Sequence, residues 1–216
     1  MKTTFKKALK ISVPVMAGYI FLGSAFGVLV QRSGLNIFVA MLMSVVIYAG
    51  SMQFAAVELL INPISLFQTF ILTLSINARH LFYGISMLNP FKDAKYKQYM
   101  IFGLTDESYS LIINHQDDTG LIFAIELVNQ LYWIVGTIIG FVFGAILPFD
   151  TTGIEFSMTA LFLVIFMDKL KERKYRPQLC GLLVSIVALM IVGKEHFIFP
   201  SMVGIMAVLF ITEAKV

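Results

Sequence analysis

Hydrophobic residues recur in long runs from one end of the chain to the other, with short polar stretches between them. A helix needs about 20 residues to cross the hydrocarbon core of a bilayer, whereas barrel strands are shorter and alternate strictly. The pattern therefore predicts an all-α, polytopic transmembrane helical bundle of about seven or eight segments, in a single integral membrane domain over residues 1–216. Four runs are long enough to cross, and the shorter four are expected to be marginal spans or half-helices. The runs are 11–31, 36–61, 64–88, 98–113, 119–147, 154–167, 178–192 and 197–212.

Composition supports the membrane class. The chain is 58% hydrophobic and 13% charged, while a soluble domain carries about 25% charged residues. The net charge of +3 does not indicate nucleic acid, because the basic residues form clusters between apolar runs. Cys180 is the one cysteine of the chain, which excludes an intrachain disulfide and a cysteine-rich metal site. We expect no metal and no cofactor, and the absence of any phosphate-binding glycine loop argues against ATP hydrolysis.

The basic clusters predict the orientation in the cell membrane. Lysines in the first ten residues and the basic loop 168–177 should both be cytoplasmic, which places the N-terminus inside. The first run is too long for the hydrophobic region of a signal peptide, so we interpret it as a retained helix. Lys92, Lys95 and Lys97 would then lie outside. This exception predicts that one segment of the first half does not cross fully.

Charged residues inside apolar runs carry the functional information. Each costs about 2.5–3.5 kcal/mol at the centre of a helix, so such groups should be paired, protonated, near an interface or lining a watery path. A watery path is the ordinary sign of transport. The residues concerned are Glu58, Arg79, His80, Asp106, Glu107 and Glu126.

Residues 48–53 (YAGSMQ) interrupt the run 36–61, which would be about 39 Å long as one helix. We expect a break at Gly50 and Ser51. The amides of the next half-helix could then bind a substrate carboxylate, with Gln53 beside them. Close packing of small residues against a neighbouring helix explains the stretch equally well.

Residues 77–84 (NARHLFYG) form the second polar stretch. Asn77 shares a helix face with His80, and Arg79 shares one with Tyr83. Arg79 offers a planar fork to a carboxylate, either that of a substrate or that of a structural partner such as Asp106 or Glu107. His80 could relay protons, or be a buried histidine with a structural hydrogen bond.

Residues 103–108 (GLTDES) form the third. The carboxylates of Asp106 and Glu107 could bind an ammonium group or a proton. Alternatively, the stretch is a loop or a helix N-terminal cap, since Thr105 followed by Ser108 loosely resembles a capping box.

The same three stretches resemble the AzlC family of bacterial branched-chain amino acid permeases. The matching pieces are residues 48–56 (YAGSMQFAA), 75–84 (SINARHLFYG) and 102–108 (FGLTDES), and the resemblance covers most of residues 5–113. It implies export of branched-chain amino acids. It also implies a partner, a small AzlD-type membrane subunit of about 100 residues, which is room for a few spans of about 20 residues each. Met52 and Glu58 depart from the pattern that we expect of the family.

Together these features predict an ion-coupled exporter subunit for small apolar amino acids. The candidate substrate-binding residues are Gly50, Ser51, Gln53, Asn77, Arg79 and Asp106. The candidates for coupling or for lining the path are Glu58, His80 and Glu107. Two other classes stay open: an intramembrane hydrolase that uses Ser51 or Ser108 with His80, and a passive channel or membrane scaffold.

Overall fold

The computed structural model describes residues 2–146, 163, 167, 175–193, 197, 200, 201, 203–205, 207 and 208, and its regular elements there are helices. Most of the predicted run 154–167 and much of the run 197–212 lie outside the described residues. Nine helices have defined bounds: α1 Lys2–Arg32, α2 Ile37–Val46, α3 Gly50–Ile61, α4 Leu66–Ser86, α5 Leu88–Phe91, α6 Lys97–Phe102, α7 Asp106–Ile112, α8 Thr119–Ile146 and α9 Tyr175–Val192. The all-helical prediction is confirmed for the described part.

Two helices in the described residues are long and apolar enough to cross a membrane. They are Thr3–Arg32, within α1, and Thr119–Ile146, which is α8. Both agree with predicted runs, and α1 contains Pro14, a residue that membrane-spanning helices tolerate. The total of seven or eight spans remains a prediction.

The pair formed by α1 and α8 is the centre of the fold, because glycines let the two backbones touch. A Cβ atom added to Gly136 would lie 2.7 Å from the carbonyl oxygen of Ile20, and one on Gly23 would lie 2.7 Å from that of Trp133. Gly140 lies against the backbone of Ser24. Small residues at such contacts are how membrane helices approach closely. The crossing holds α1 and α8 in one fixed relation.

An aromatic cluster fills the space beside this crossing. The rings of Tyr19 and Trp133 meet edge to face with centroids 5.5 Å apart, and Phe26 stacks on Trp133 at 6.3 Å. Phe54 of α3 contacts Phe26 from the other side. The cluster therefore ties α3 to the central pair of helices.

Two apolar runs are broken in the structure. The run 36–61 divides into α2 and α3, and Tyr48, in the break at residues 47–49, has a φ of 39°, which a bulky residue rarely adopts. The run is broken as expected, but the break lies at residues 47–49, just before the expected position, and Gly50 and Ser51 are the first residues of α3. The run 98–113 divides into α6 and α7, which have 6 and 7 residues. This result agrees with the half-helix alternative for that run.

Polar side chains fix where several helices begin. Asn36 accepts a hydrogen bond from the amide of Val39 at the start of α2. Ser65 and Gln68 form a reciprocal capping box at the start of α4. Asp118 accepts from the amide of Leu121 at the start of α8. These caps satisfy amides that would otherwise lack partners.

Candidate functional site

A small cavity lies where the break before α3 meets α1, α4, α7 and α8. Six of the nine predicted site residues line it: Gly50, Ser51, Arg79, His80, Asp106 and Glu107. The cavity offers about 30 Å³ of space for water centres. A single water needs about 10–15 Å³ by that measure, so the cavity has room for about two waters. The three polar stretches, far apart in sequence, therefore converge on one site.

Arg79 joins two of the stretches directly. Its Nη1 donates to Oδ2 of Asp106 at 2.5 Å, and its Nη2 donates to Oγ of Ser51 at 2.9 Å. In this conformation, Arg79 is therefore paired with a carboxylate of the chain itself, which is one of the two alternatives for this residue. The side chains of Arg79 and Asp106 are 24% and 20% exposed, so water or a small solute can reach the pair.

The start of α7 is held from the opposite side. Thr105 caps α7 by accepting a hydrogen bond from the amide of Ser108 at 3.2 Å, which confirms the cap interpretation. Asp106 and Glu107 occupy the first turn, where carboxylates suit the helix dipole. Tyr19 of α1 donates to Oε2 of Glu107 at 2.9 Å and lies 2.5 Å from Oγ1 of Thr105. Asp106 is therefore held by Arg79 of α4 and Glu107 by Tyr19 of α1, directly after the capping threonine.

Three predicted residues lie away from the cavity wall. Gln53 is fully buried, and its amide nitrogen lies 3.5 Å from Oγ of Ser44 in α2. Asn77 is half-buried in α4, one turn before the cavity residues. Glu58 is exposed and accepts a hydrogen bond from Asn62 at 2.6 Å. Their assignment to the substrate path stays a prediction.

The cavity also has walls that sequence reasoning missed. Tyr19 and Leu22 come from α1, Trp133 comes from α8, and Tyr48 comes from the break before α3. Tyr48 belongs to the first polar stretch but was not a candidate for the site. Tyr19, Leu22 and Trp133 carry no motif, because aromatic and aliphatic side chains are ordinary in membrane helices. The strongest available signal was the pattern of glycines around them, which indicated where α1 and α8 approach. Their side chains make one side of a charged cavity apolar.

The cavity suits a ligand that carries one positive and one negative charge. One guanidinium and two carboxylates face a space with an aromatic and aliphatic wall. The amides of Gly50 and Ser51 begin α3 beside Arg79, where the helix dipole favours a negative group. A zwitterion with a small apolar side chain matches each of these surfaces.

The hydrolase alternative finds no assembled nucleophile in the described residues. Oγ of Ser51 accepts a hydrogen bond from Arg79, and Oγ of Ser108 accepts one from Asn129 at 3.0 Å. His80 makes a ring contact with Tyr83 at 6.0 Å, and no hydrogen bond joins it to either serine in this part of the chain. A serine nucleophile needs a base within hydrogen-bond reach.

Replacing Tyr19 with phenylalanine is expected to destabilise the protein by about 1–2 kcal/mol, because Thr105 and Glu107 lose a buried partner. The expected result is a lower midpoint in thermal unfolding of the protein in detergent. Tyr132→Phe is the matched control, since the structure gives the Tyr132 hydroxyl no hydrogen bond within the described residues. Equal midpoints for the two variants would contradict a structural role for the Tyr19 hydroxyl.

Comparison with known proteins extends the similarity beyond the three stretches. The AzlC protein family profile matches residues 14–147. A Bacillus subtilis (strain 168) relative, the branched-chain amino acid transport protein AzlC, is 41% identical over 212 residues, covering 95% of this chain and 84% of the relative. An uncharacterized membrane protein of Haemophilus influenzae is 42% identical over 212 residues, covering 94% and 87%. No solved structure matches the chain at a significant level.

More distant similarity reaches another inner membrane protein. YgaZ of Escherichia coli K12 is 27% identical over 184 residues, which covers 81% of this chain and 75% of that protein. The matches to the Bacillus and Haemophilus proteins span nearly the full chain. The similarity therefore includes the C-terminal part, where the sequence reasoning rested on hydropathy alone.

Proposed function

The chain belongs to the AzlC protein family and is a membrane protein, and we propose that it is the large subunit of an exporter for branched-chain or similar small apolar amino acids. The Bacillus relative is named as a branched-chain amino acid transport protein, which supports the substrate class. We further propose that the chain crosses the cell membrane several times with its N-terminus in the cytoplasm. A small AzlD-type membrane subunit completes the exporter.

The observation that carries this proposal is the ion pair between Arg79 and Asp106 inside the cavity. An amino acid brings a carboxylate and an ammonium group a few ångströms apart. Its carboxylate can replace Asp106 as the partner of Arg79, while its ammonium group forms an ion pair with Asp106. Each buried charge then keeps a partner throughout binding, which avoids the cost of leaving one unpaired.

The remaining contacts extend this binding geometry. The amides at the start of α3 and the hydroxyl of Ser51 assist Arg79 in holding the carboxylate. Leu22 and Trp133 offer an apolar surface to the aliphatic side chain. A pocket of this kind favours amino acids with apolar side chains, because a polar side chain would lose its hydrogen bonds to water on entering it.

The cavity must enlarge before it holds leucine. Its 30 Å³ of space for water centres accommodates about two waters, so a leucine does not fit in this conformation. Opening of the Arg79–Asp106 pair would let α4 move away from α7. Alternating access is commonly achieved by such movement of one group of helices against another around a central site.

Ion coupling belongs to the same proposal. Glu107 and His80 line the cavity beside Asp106 and could exchange a proton as the site opens to either side. Export, rather than uptake, is the direction that we assign. Saturable efflux that is stimulated by substrate on the opposite side would distinguish this carrier from a passive channel.

The test is efflux of leucine, isoleucine and valine from cells loaded with the corresponding dipeptides. Strains that lack other exporters for these amino acids would carry this chain alone, the candidate small subunit alone, or both. We expect fast efflux from the strain that carries both. If no strain exports any of the three while both proteins are present in the membrane, the branched-chain assignment is wrong.

A further inference from the structure

Glu126 is a buried carboxyl group that the cavity does not use. It lies in α8 with no exposed surface, and neither of its oxygens accepts a hydrogen bond from the described residues. The ion pair that the structure contains in this part of the chain joins Arg79 and Asp106, not Glu126. A membrane-spanning helix rarely places a carboxyl group in such surroundings without a functional reason.

Glu126 packs directly on the backbone between α6 and α7. A Cβ atom added to Gly103 would lie 3.1 Å from both Cβ and Oε2 of Glu126, so any larger residue there would require the Glu126 side chain to shift by a few tenths of an ångström. Gly103 ends α6, and the next residues include Thr105, which caps α7. The carboxyl group therefore touches the connection that positions the carboxylates of the cavity.

The ionisable groups around Glu126 are phenols and carboxyls. Tyr99 of α6 and Tyr48 of the break before α3 face it from the elements packed against α8. The other acidic or phenolic groups on these elements are Tyr19 of α1, Asp106, Glu107 and Tyr109 of α7, and Tyr132 of α8 itself. The basic groups on these elements are Lys2, Lys6, Lys7, Lys10 and Arg32 of α1 and Lys97 of α6, of which Lys6, Lys7, Lys10, Arg32 and Lys97 are exposed. None of the lysines, arginines or histidines whose contacts the structure describes forms an ion pair with Glu126. A negative charge at Glu126 would thus have no ion-pair partner among the described residues.

A chain of polar contacts connects this region of α8 to the cavity. Asn129, one turn after Glu126, is fully buried, and its Nδ2 donates to Oγ of Ser108 at 3.0 Å. Oγ1 of Thr105 donates to the same Ser108 oxygen at 3.0 Å and lies 2.5 Å from the hydroxyl of Tyr19. Thr105 and Tyr19 both line the cavity. Movement of the α6–α7 connection is therefore transmitted to the wall of the substrate site.

We propose that Glu126 is the binding site for a coupling proton and that its protonation controls the position of the α6–α7 connection. An unpaired carboxylate in an apolar interior is strongly disfavoured, so Glu126 holds a proton while it is packed on Gly103. It can lose that proton only when the connection moves and water reaches the carboxyl group. Asp106 and Glu107 directly follow this connection at the start of α7. Proton release and the change in shape of the cavity are therefore one motion. The proton comes from water on one side of the membrane and leaves to water on the other.

This inference rests on the proposed amino acid transport, and its test separates the two. The purified protein, together with its small subunit, would be placed in liposomes that contain a pH-sensitive dye. Exchange of labelled leucine at equal pH measures substrate movement alone, and the dye measures proton movement that depends on leucine. For Glu126→Gln we expect exchange to continue and leucine-dependent proton movement to be lost.

Two results in this assay would overturn the inference. One is leucine-dependent proton movement that persists in Glu126→Gln. The other is leucine accumulation by the unmodified protein that follows a sodium gradient and ignores a pH gradient. Asp93→Asn is the matched control, because Asp93 is an exposed carboxylate in the connection between α5 and α6, and it should behave like the unmodified protein. Absence of leucine exchange in the unmodified protein would count against the transport proposal instead.

Infrared spectroscopy tests the proton site without transport. The unmodified protein at neutral pH should show the carbonyl stretch of a protonated carboxyl group, and Glu126→Gln should lack it. Absence of that band in the unmodified protein would contradict the inference, whatever the transport assay gives. Should Glu126→Gln fail to fold, Glu126→Asp keeps a titratable group and is expected to retain leucine-dependent proton movement. Loss of that movement in a folded Glu126→Asp protein that still exchanges leucine would also overturn the inference.

Discussion

Replacing Asp106 with asparagine is expected to reduce amino acid efflux by about 100-fold, to near the background rate. The physical reason is the loss of one partner from a partly buried charge pair, which costs up to about 3–5 kcal/mol when the other charge stays buried. Both side chains retain some exposure, so a loss of about 2–3 kcal/mol is the appropriate figure, and each 1.4 kcal/mol corresponds to a factor of ten. The measurement is the rate of leucine efflux from dipeptide-loaded cells at equal protein levels.

A reversed pair distinguishes binding from structural support. If the ion pair only holds α4 against α7, the double variant Arg79→Asp with Asp106→Arg restores both folding and efflux. If the pair binds the substrate, the double variant folds without exporting, because the ammonium and carboxylate of the amino acid meet the wrong charges and Ser51 faces a carboxylate. Efflux from the reversed pair at the normal rate would show that our assignment of these two residues is wrong.

Arg79→Lys gives a graded version of the same experiment. Lysine keeps the positive charge but loses the fork that contacts Asp106 and Ser51 together. We expect efflux between that of the unmodified protein and that of Asp106→Asn. The protein should unfold at nearly the same temperature as the unmodified one, since the charge pair persists.

The convergence of the three polar stretches could be anticipated from the sequence, and its reason is physical. Charged groups in an apolar run must find partners, so Arg79 and Asp106 were expected to meet something charged. The sequence left two partners open for Arg79, a substrate or a carboxylate of the chain. Only the three-dimensional structure shows that Arg79 contacts Asp106 and Ser51 at the same time.

The contacts of other residues gave no readable signal in the sequence, although the charge of Glu126 inside an apolar run was visible there. Glu126 stands alone in an apolar run, and nothing near it in sequence indicates what it contacts. Its neighbour Gly103 belongs to a different helix, and their contact depends on how α6 packs against α8. Tyr19 and Trp133 are likewise ordinary membrane residues until the crossing of α1 and α8 brings them together. Long-range packing of this kind cannot be derived from local pattern.

The glycine spacing of α1 and α8 is visible in the sequence, but their pairing is not. Gly23 and Gly27 are four residues apart, as are Gly136, Gly140 and Gly144, which is the spacing of small residues at helix contacts. By themselves, the glycines of the first run indicate only that this helix packs closely against another helix. The second set on α8 identifies the partner, because both sets are buried against each other.

Adding a single methyl group at Gly140 is therefore expected to disrupt the fold. In Gly140→Ala the new Cβ atom would overlap the carbonyl oxygen, carbonyl carbon and Cα of Ser24, which are backbone atoms that cannot rotate away. The two helices must separate, and overpacking of this kind costs about 1–3 kcal/mol and occasionally more. The expected result is a lower unfolding temperature and less protein in the membrane. Ser24→Gly should not rescue the variant, because the clash is with the backbone of Ser24.

Gly18→Ala is the control that makes this result specific. Gly18 lies in the same helix α1, and a Cβ atom there meets nothing within 4 Å. Alanine is favoured over glycine inside a helix by about 0.5–1 kcal/mol, so Gly18→Ala should unfold at the same temperature or slightly higher. The contrast also bears on function, since α1 and α8 carry Tyr19 and Trp133, which both line the cavity. Separation of the helices in Gly140→Ala should therefore lower efflux per molecule in the membrane. If Gly140→Ala unfolds at a lower temperature but exports at the normal rate, the cavity does not depend on this crossing.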